Sequence, residues 1–191
     1  MQEIYDRTFT KDDLSEAGLP KAEYDNCKFV NCDFSNQDFS DYLFTDCEFV
    51  GCNLSMVKLI STAFRDVKFK ECKLLGLNFE HCNDFSLSFS FDNCILNHST
   101  FYKRKLKQTD FRNSQLHETD FTECDLSGSV FDKCDLMNAK FENTILEKVD
   151  FRTSYNYSID PEMNKIKKAK FSLNGVAGLL SKYDIVIDNR N

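Results

Sequence analysis

The residues of this 191-residue chain best able to do chemistry are nine cysteines: Cys27, Cys32, Cys47, Cys52, Cys72, Cys82, Cys94, Cys124 and Cys134. Thiolates can act as nucleophiles, hold a metal, or pair as disulfides. Nothing in their placement favours any of these roles. No CxxC pair occurs, the thiols are spread along the chain, and their number is odd. The histidines His81, His98 and His117 stand far from one another in sequence, and none has a nucleophile set beside it. GxGxxG, GxxxxGK(S/T), GxSxG and HExxH are all missing, so phosphate-loop, hydrolase and metalloprotease chemistry lack their minimal residues. Carboxylates are plentiful but scattered, as on a solvated face. The sequence predicts no enzyme, no metal and no cofactor.

The elements that carry these residues follow a period of five. Every fifth residue from Tyr24 to Phe79, and again from Phe91 to Phe151, is Phe, Leu or Tyr. The residue two places before each such centre is small or of medium size, and each cysteine is assigned to this slot. The other three places are mostly Asp, Asn, Lys, Glu, Ser and Thr. Two inward residues in five fit neither the helical period of 3.6 nor the strand period of 2. They fit a square coil in which each pentad forms one side and four pentads, 20 residues, close one turn. Successive turns then stack as parallel strands about 4.8 Å apart. In the second run Phe and Leu alternate without exception. Phe91, Phe111, Phe131 and Phe151 should therefore share one column, and Phe101, Phe121 and Phe141 the column opposite. Burying each such side chain contributes roughly 1.5–3 kcal/mol, enough for a rod with no other core. The cysteines become small buried hydrophobes in that rod.

The pentads TDFRN (109–113), TDFTE (119–123), CDLSG (124–128), CDLMN (134–138) and VDFRT (149–153) resemble the A(D/N)LXX motif of the pentapeptide-repeat family. The resemblance implies an all-β fold, a right-handed quadrilateral parallel β-helix with a short C-terminal helical cap. It covers residues 24–153, and the phase continues weakly back through Leu19, Leu14 and Phe9. Residues 1–23 are expected to be an N-terminal cap or a first imperfect coil.

Two places depart from the pattern. Phe79 and Phe91 are 12 residues apart, two more than two pentads, which puts a bulge within residues 80–90. Loops carry contacts more often than scaffold does, so His81, Asn83, Asp84 and Phe85 are the candidate partner-contact loop. Phe85 and Phe89 could cover the core across the phase shift. After Phe151 the period stops. Asp160-Pro161 reads as a helix start, which predicts a helix within PEMNKIKKAKF (161–171). An apolar stretch follows, and residues 154–191 are expected to cap the open end. Val176, Leu179, Leu180, Ile185 and Ile187 are the candidate cap and homodimer contact.

The net charge of −7 argues against direct nucleic-acid binding, and no stretch of 18 apolar residues predicts a membrane span. The absence of an apolar leader run makes a cytoplasmic location the expectation. Lys165, Lys167, Lys168, Lys170, Lys182 and Arg190 against Asp160, Glu162, Asp184 and Asp188 give the tail +2, leaving −9 on residues 1–154. Within the family, the chain is most similar to the small free-standing members of the quinolone-resistance and microcin-immunity types, which protect DNA gyrase. That resemblance implies a protein partner, gyrase or topoisomerase, met by a rod that imitates duplex DNA. Interleaved Lys and Arg break the acidic columns, as in Lys105, Asp125 and Ile145. The competing expectation is a scaffold rod with some other protein partner.

Overall fold

A computed structural model describes residues 2–14 and 18–188. Eleven short strands form two parallel sheets, and consecutive neighbours in each sheet are one coil apart in sequence. The first sheet holds β1 (Gln2–Tyr5), β3 (Ala22–Asp25), β5 (Leu43–Thr45) and β7 (Ala63–Arg65). The second holds β2 (Thr8–Thr10), β4 (Lys28–Val30), β6 (Glu48–Val50), β8 (Val67–Lys70), β9 (Phe89–Asp92), β10 (Asp110–Arg112) and β11 (Val130–Asp132). We call the sides bearing these sheets face 1 and face 2. Faces 3 and 4 are held by single parallel bridges such as Asn53↔Lys73 and Thr100↔Asp120. The offset between paired residues is 20 up to β8, as in Phe49↔Phe69. It is 22 across the predicted insertion, as in Phe69↔Phe91, and 20 again beyond it, as in Phe111↔Phe131.

The centres stack into four columns. On face 2, Phe9, Phe29, Phe49, Phe69, Phe91, Phe111, Phe131, Phe151 and Phe171 form one unbroken pile of near-parallel rings with centroids 4.6–5.4 Å apart. Opposite it, Phe79, Phe101, Phe121 and Phe141 stack in the same way. Rings of the two columns meet edge to face, Phe111 against Phe121 at 85°. Offset-stacked and T-shaped pairs are the favoured aromatic geometries. The predicted columns are therefore those observed.

Two features make the five-residue side possible. The residue two places after a centre turns the corner with positive φ, as at Asn31, Asp46, Asn93, Asn113 and Asn143. Asn, Asp and Gly tolerate this left-handed region, which costs other residues about 1–2 kcal/mol. Lys103, Glu123 and Lys133 nonetheless adopt it. The small slot, in turn, is a donor slot. Cys47 Sγ donates to the Tyr24 carbonyl (3.4 Å), Thr62 Oγ1 to that of Phe39 (2.7 Å), Ser129 Oγ to that of Leu106 (2.8 Å) and Tyr42 Oη to that of Leu19 (2.6 Å). Each bond reaches one coil back. Cys, Ser and Thr thus satisfy a buried carbonyl where alanine would leave it without that donor.

Of the two ends, the C-terminal one departs from expectation. Gln2–Tyr5 and Thr8–Thr10 pair with the next coil, so the N-terminus begins a first coil. Arg7 occupies a slot position there, and its guanidinium lies 4.7 Å from the Phe9 ring centroid. At the other end the helix expected within 161–171 does not form. After an irregular stretch in which Tyr157 and Ile159 are buried, the repeat resumes one coil above residues 144–151. Asn164 takes the donor slot, its Nδ2 2.8 Å from the Phe141 carbonyl, and Phe171 stacks on Phe151. Edge hydrogen bonds waiting on the coil below, such as Lys165 N to Thr144 O at 3.0 Å, outweigh a short helix start. Among the described residues, helical structure is confined to the short 3₁₀ segments Lys11–Asp13, Phe79–His81, Leu173–Leu179 and Ser181–Tyr183.

Candidate partner-contact surfaces

The two extra residues fall between Asp84 and Ser88. Asn83 N still reaches Thr62 O, whereas Ser88 N bonds Phe64 O. In this layer face 1 has no apolar centre: Asp84 and Ser86, the residues nearest that place, are exposed, and Ser86 has positive φ. Cys82 stays buried in its slot, but no centre follows it. The vacancy is filled from elsewhere. Phe89 pairs with Val67 in a slot position, yet its ring turns into the core, with centroids 5.3 Å from Phe79 and 5.1 Å from Phe91. Phe85 does the opposite. It is 71% exposed, and the Arg65 guanidinium lies 5.2 Å from its ring centroid. Of the two phenylalanines only Phe89 covers the core, with half-buried Leu87 packed beside it.

The loop is braced from within. Asn83 Oδ1 accepts from Phe85 N (2.8 Å), Ser88 Oγ bonds Asp66 Oδ1 (2.5 Å), and Arg104 pairs with Asp84. His81 sits at the end of the preceding 3₁₀ turn, exposed, 3.9 Å from Glu80. His81, Asn83, Asp84 and Phe85 therefore project together on one short, tethered loop.

At the C-terminal end, Leu179 packs on the core and Ile159 N bonds Gly178 O (2.9 Å). Gly178 approaches so closely that a Cβ there would lie 2.3 Å from Tyr157 O. Lys182 ties this cap to the coil, 2.8 Å from Asp160 and 2.6 Å from Glu162. Those hydrogen bonds raise the Lys182 pKa and lower those of Asp160 and Glu162. Of the remaining expected cap residues, Val176, Ile185 and Ile187 are exposed and Leu180 is half-buried. Val176, Leu180 and Ile187 lie with Leu173 on one end surface.

All nine thiols are buried and free. Burial pushes Cys32, Cys47, Cys124 and Cys134 up to about 12, far from the thiolate state that nucleophilic chemistry needs. His98 lies 3.3 Å from Glu118, and His117 2.9 Å from Asp135. Among the described residues no three His, Cys, Asp or Glu side chains gather in a way that could hold a metal ion. No described helix is long and apolar enough to cross a membrane. The left-handed corners and the donor role of the slot were not read from the sequence. Asn, Asp and Gly recurring two places after many of the centres were the available signal for the corners.

A family model described as a pentapeptide repeat region matches residues 22–90 and 86–155. Solved structures resemble the chain along most of its length. A trypsin-treated variant of QnrB1, a plasmid-mediated fluoroquinolone resistance protein, is 18% identical over 98% of this chain and 99% of its own, with a TM-score of 0.46. HetL, a pentapeptide repeat protein involved in heterocyst differentiation regulation in the cyanobacterium Nostoc, is 15% identical over 91% and 85%, with a TM-score of 0.38. Rfr23 from the cyanobacterium Cyanothece is 18% identical over 66% and 88%, with a TM-score of 0.22. No curated protein sequence matches.

Proposed function

The chain belongs to the pentapeptide-repeat family, and on that premise we propose that it is a non-catalytic cytoplasmic rod that binds a protein partner through the loop at His81, Asn83, Asp84 and Phe85. The observation that carries this reading is Phe85. A large aromatic stands 71% exposed on a braced loop while its neighbour Phe89 fills the core. An exposed aromatic backed by arginine is the usual anchor of a protein interface. The apolar end formed by Val176, Leu180, Ile185 and Ile187 is the proposed homodimer contact, where a second copy would cover it.

The partner we favour is DNA gyrase or topoisomerase, met by the rod as a mimic of duplex DNA. Its support is electrostatic. The acidic half of face 1 carries Glu3, Asp6, Glu23, Asp25, Asp46 and Asp66, none in an ion pair with another described residue. On faces 2 and 4 some charges are paired between coils, as in Lys28–Glu48 and Lys103–Glu123. A supercoiling assay with gyrase, with and without a fluoroquinolone, tests the reading. Inhibition or rescue that Phe85→Ala abolishes is the expected result. No effect of the folded protein at micromolar concentration removes gyrase and leaves the scaffold reading, for which capture of a partner must also depend on Phe85.

A further inference from the structure

Face 1 differs from the other faces in how its charge is laid out. The layers centred on Ile4, Tyr24, Phe44 and Phe64 carry the six carboxylates just named and one cation, Arg65, which is engaged on Phe85: a net −5 from −6 and +1. The layers centred on Leu106, Leu126, Leu146 and Ile166 carry Arg104, Lys105, Lys107, Lys148, Lys165, Lys167 and Lys168 against Asp125 and Glu147: a net +5 from +7 and −2. Of these cations only Arg104 and Lys107 form ion pairs among the described residues, Arg104 with Asp84 of the insertion loop and Lys107 with Asp125 at 3.2 Å. An acidic half, most negative in the layers of Ile4 and Tyr24, and a basic half, most positive in the layers of Leu106 and Ile166, are thus separated by one layer, and that layer bears exposed Phe85.

A surface whose charge reverses about its midpoint is complementary to itself after a two-fold rotation. We infer that face 1 of one copy packs antiparallel against face 1 of a second copy, about an axis that passes beside Phe85. The first layer of each rod then lies opposite the last layer of the other. Glu3 and Asp6 meet the partner's Lys165 and Lys168, and the two Phe85 rings meet near the axis. Asp25 falls opposite the partner's Glu147, where the adjacent Lys148 offsets the repulsion. The contact is made largely by exposed charges, so it weakens as salt rises. It is distinct from the apolar end contact proposed above, and the two differ in their response to salt; because it covers Phe85 and the acidic half of face 1, it competes with the proposed protein partner for that surface.

Cysteine cross-linking tests this in the full chain, because the nine native thiols are buried. Phe85→Cys should form a covalent dimer under mild oxidation at least ten-fold faster than Met137→Cys, an exposed site on face 3, and lose that advantage in 0.5 M salt (about a 4 Å screening length). Adding Lys165→Glu and Lys168→Glu should slow Phe85→Cys to the control rate. Adding Glu3→Lys and Asp6→Lys to those should restore it. Val176→Asp with Ile187→Asp, which removes the end contact, should leave the Phe85→Cys rate unchanged. Equal rates for Phe85→Cys and Met137→Cys, or no recovery on charge exchange in a chain with native circular dichroism, would overturn the inference.

Discussion

Phe85 and Phe89 lie four residues apart on the same loop, yet truncating them should have opposite consequences. Phe89 is 5% exposed and touches the rings of Phe79, Phe91, Phe101 and Phe64, standing in for a centre that its layer lacks. Phe89→Ala opens a cavity among rings that are themselves pinned by stacking above and below, so collapse around it is limited. A buried Phe→Ala change of this kind costs about 3–5 kcal/mol. Phe85→Ala removes an exposed ring and its contact with Arg65, together about 0.5–1 kcal/mol. With a urea m-value of about 2–3 kcal/mol/M, the unfolding midpoint should drop by about 1–2 M for Phe89→Ala and by less than about 0.5 M for Phe85→Ala. Equal shifts would refute the argument that Phe89 replaces the missing centre.

Other perturbations follow from the same geometry. Lys133 sits at a left-handed corner (φ 53°), so Lys133→Asn should raise stability by about 0.5–1 kcal/mol, seen as a higher melting temperature. Burial holds Cys47, Cys124 and Cys134 protonated up to about 12, whereas an unfolded thiol ionises near 8.5. The unfolded chain therefore binds fewer protons above that pH, and stability should be flat from pH 7 to 8 and fall as pH rises further, in a pH series of urea melts. Gly178→Ala forces a Cβ against Tyr157 O and should release the C-terminal cap, read as faster proteolysis beyond residue 172 with the rod intact. Lowering pH through the carboxylate range should loosen the same cap as Asp160 and Glu162 lose their charge to Lys182, and Lys182→Met should remove that pH dependence.

The columns were legible because Phe and Leu recur at a spacing that only a 20-residue coil brings into register. The return of the repeat at Asn164, Ile166 and Phe171 was hidden by the stretch around Tyr157 and Ile159, whose buried residues fall outside the phase. Asp160-Pro161 then offered a helix start, but Asp160 Oδ1 accepts Glu162 N (2.8 Å) in a local turn, and the coil below supplies hydrogen bonds that a helix would forgo. In the loop, sequence marked the two extra residues but could not say which aromatic turns inward. That depends on Phe89 lying in register with Val67, a relation between coils. The slot cysteines were recognised as packing residues. Their bonds to carbonyls one coil back became evident only from that same stacking.

The unbroken pile of nine phenylalanines bears on how the protein would yield to force. Each coil is hydrogen-bonded only to the coils above and below, so pulling on the two termini should peel turns away singly, releasing about 20 residues at each step. The insertion layer, which has lost one of its four centres but keeps its place in the pile through Phe91, would mark a kink in that ladder of steps. It would be a pause or a double-length release partway along an otherwise regular extension trace.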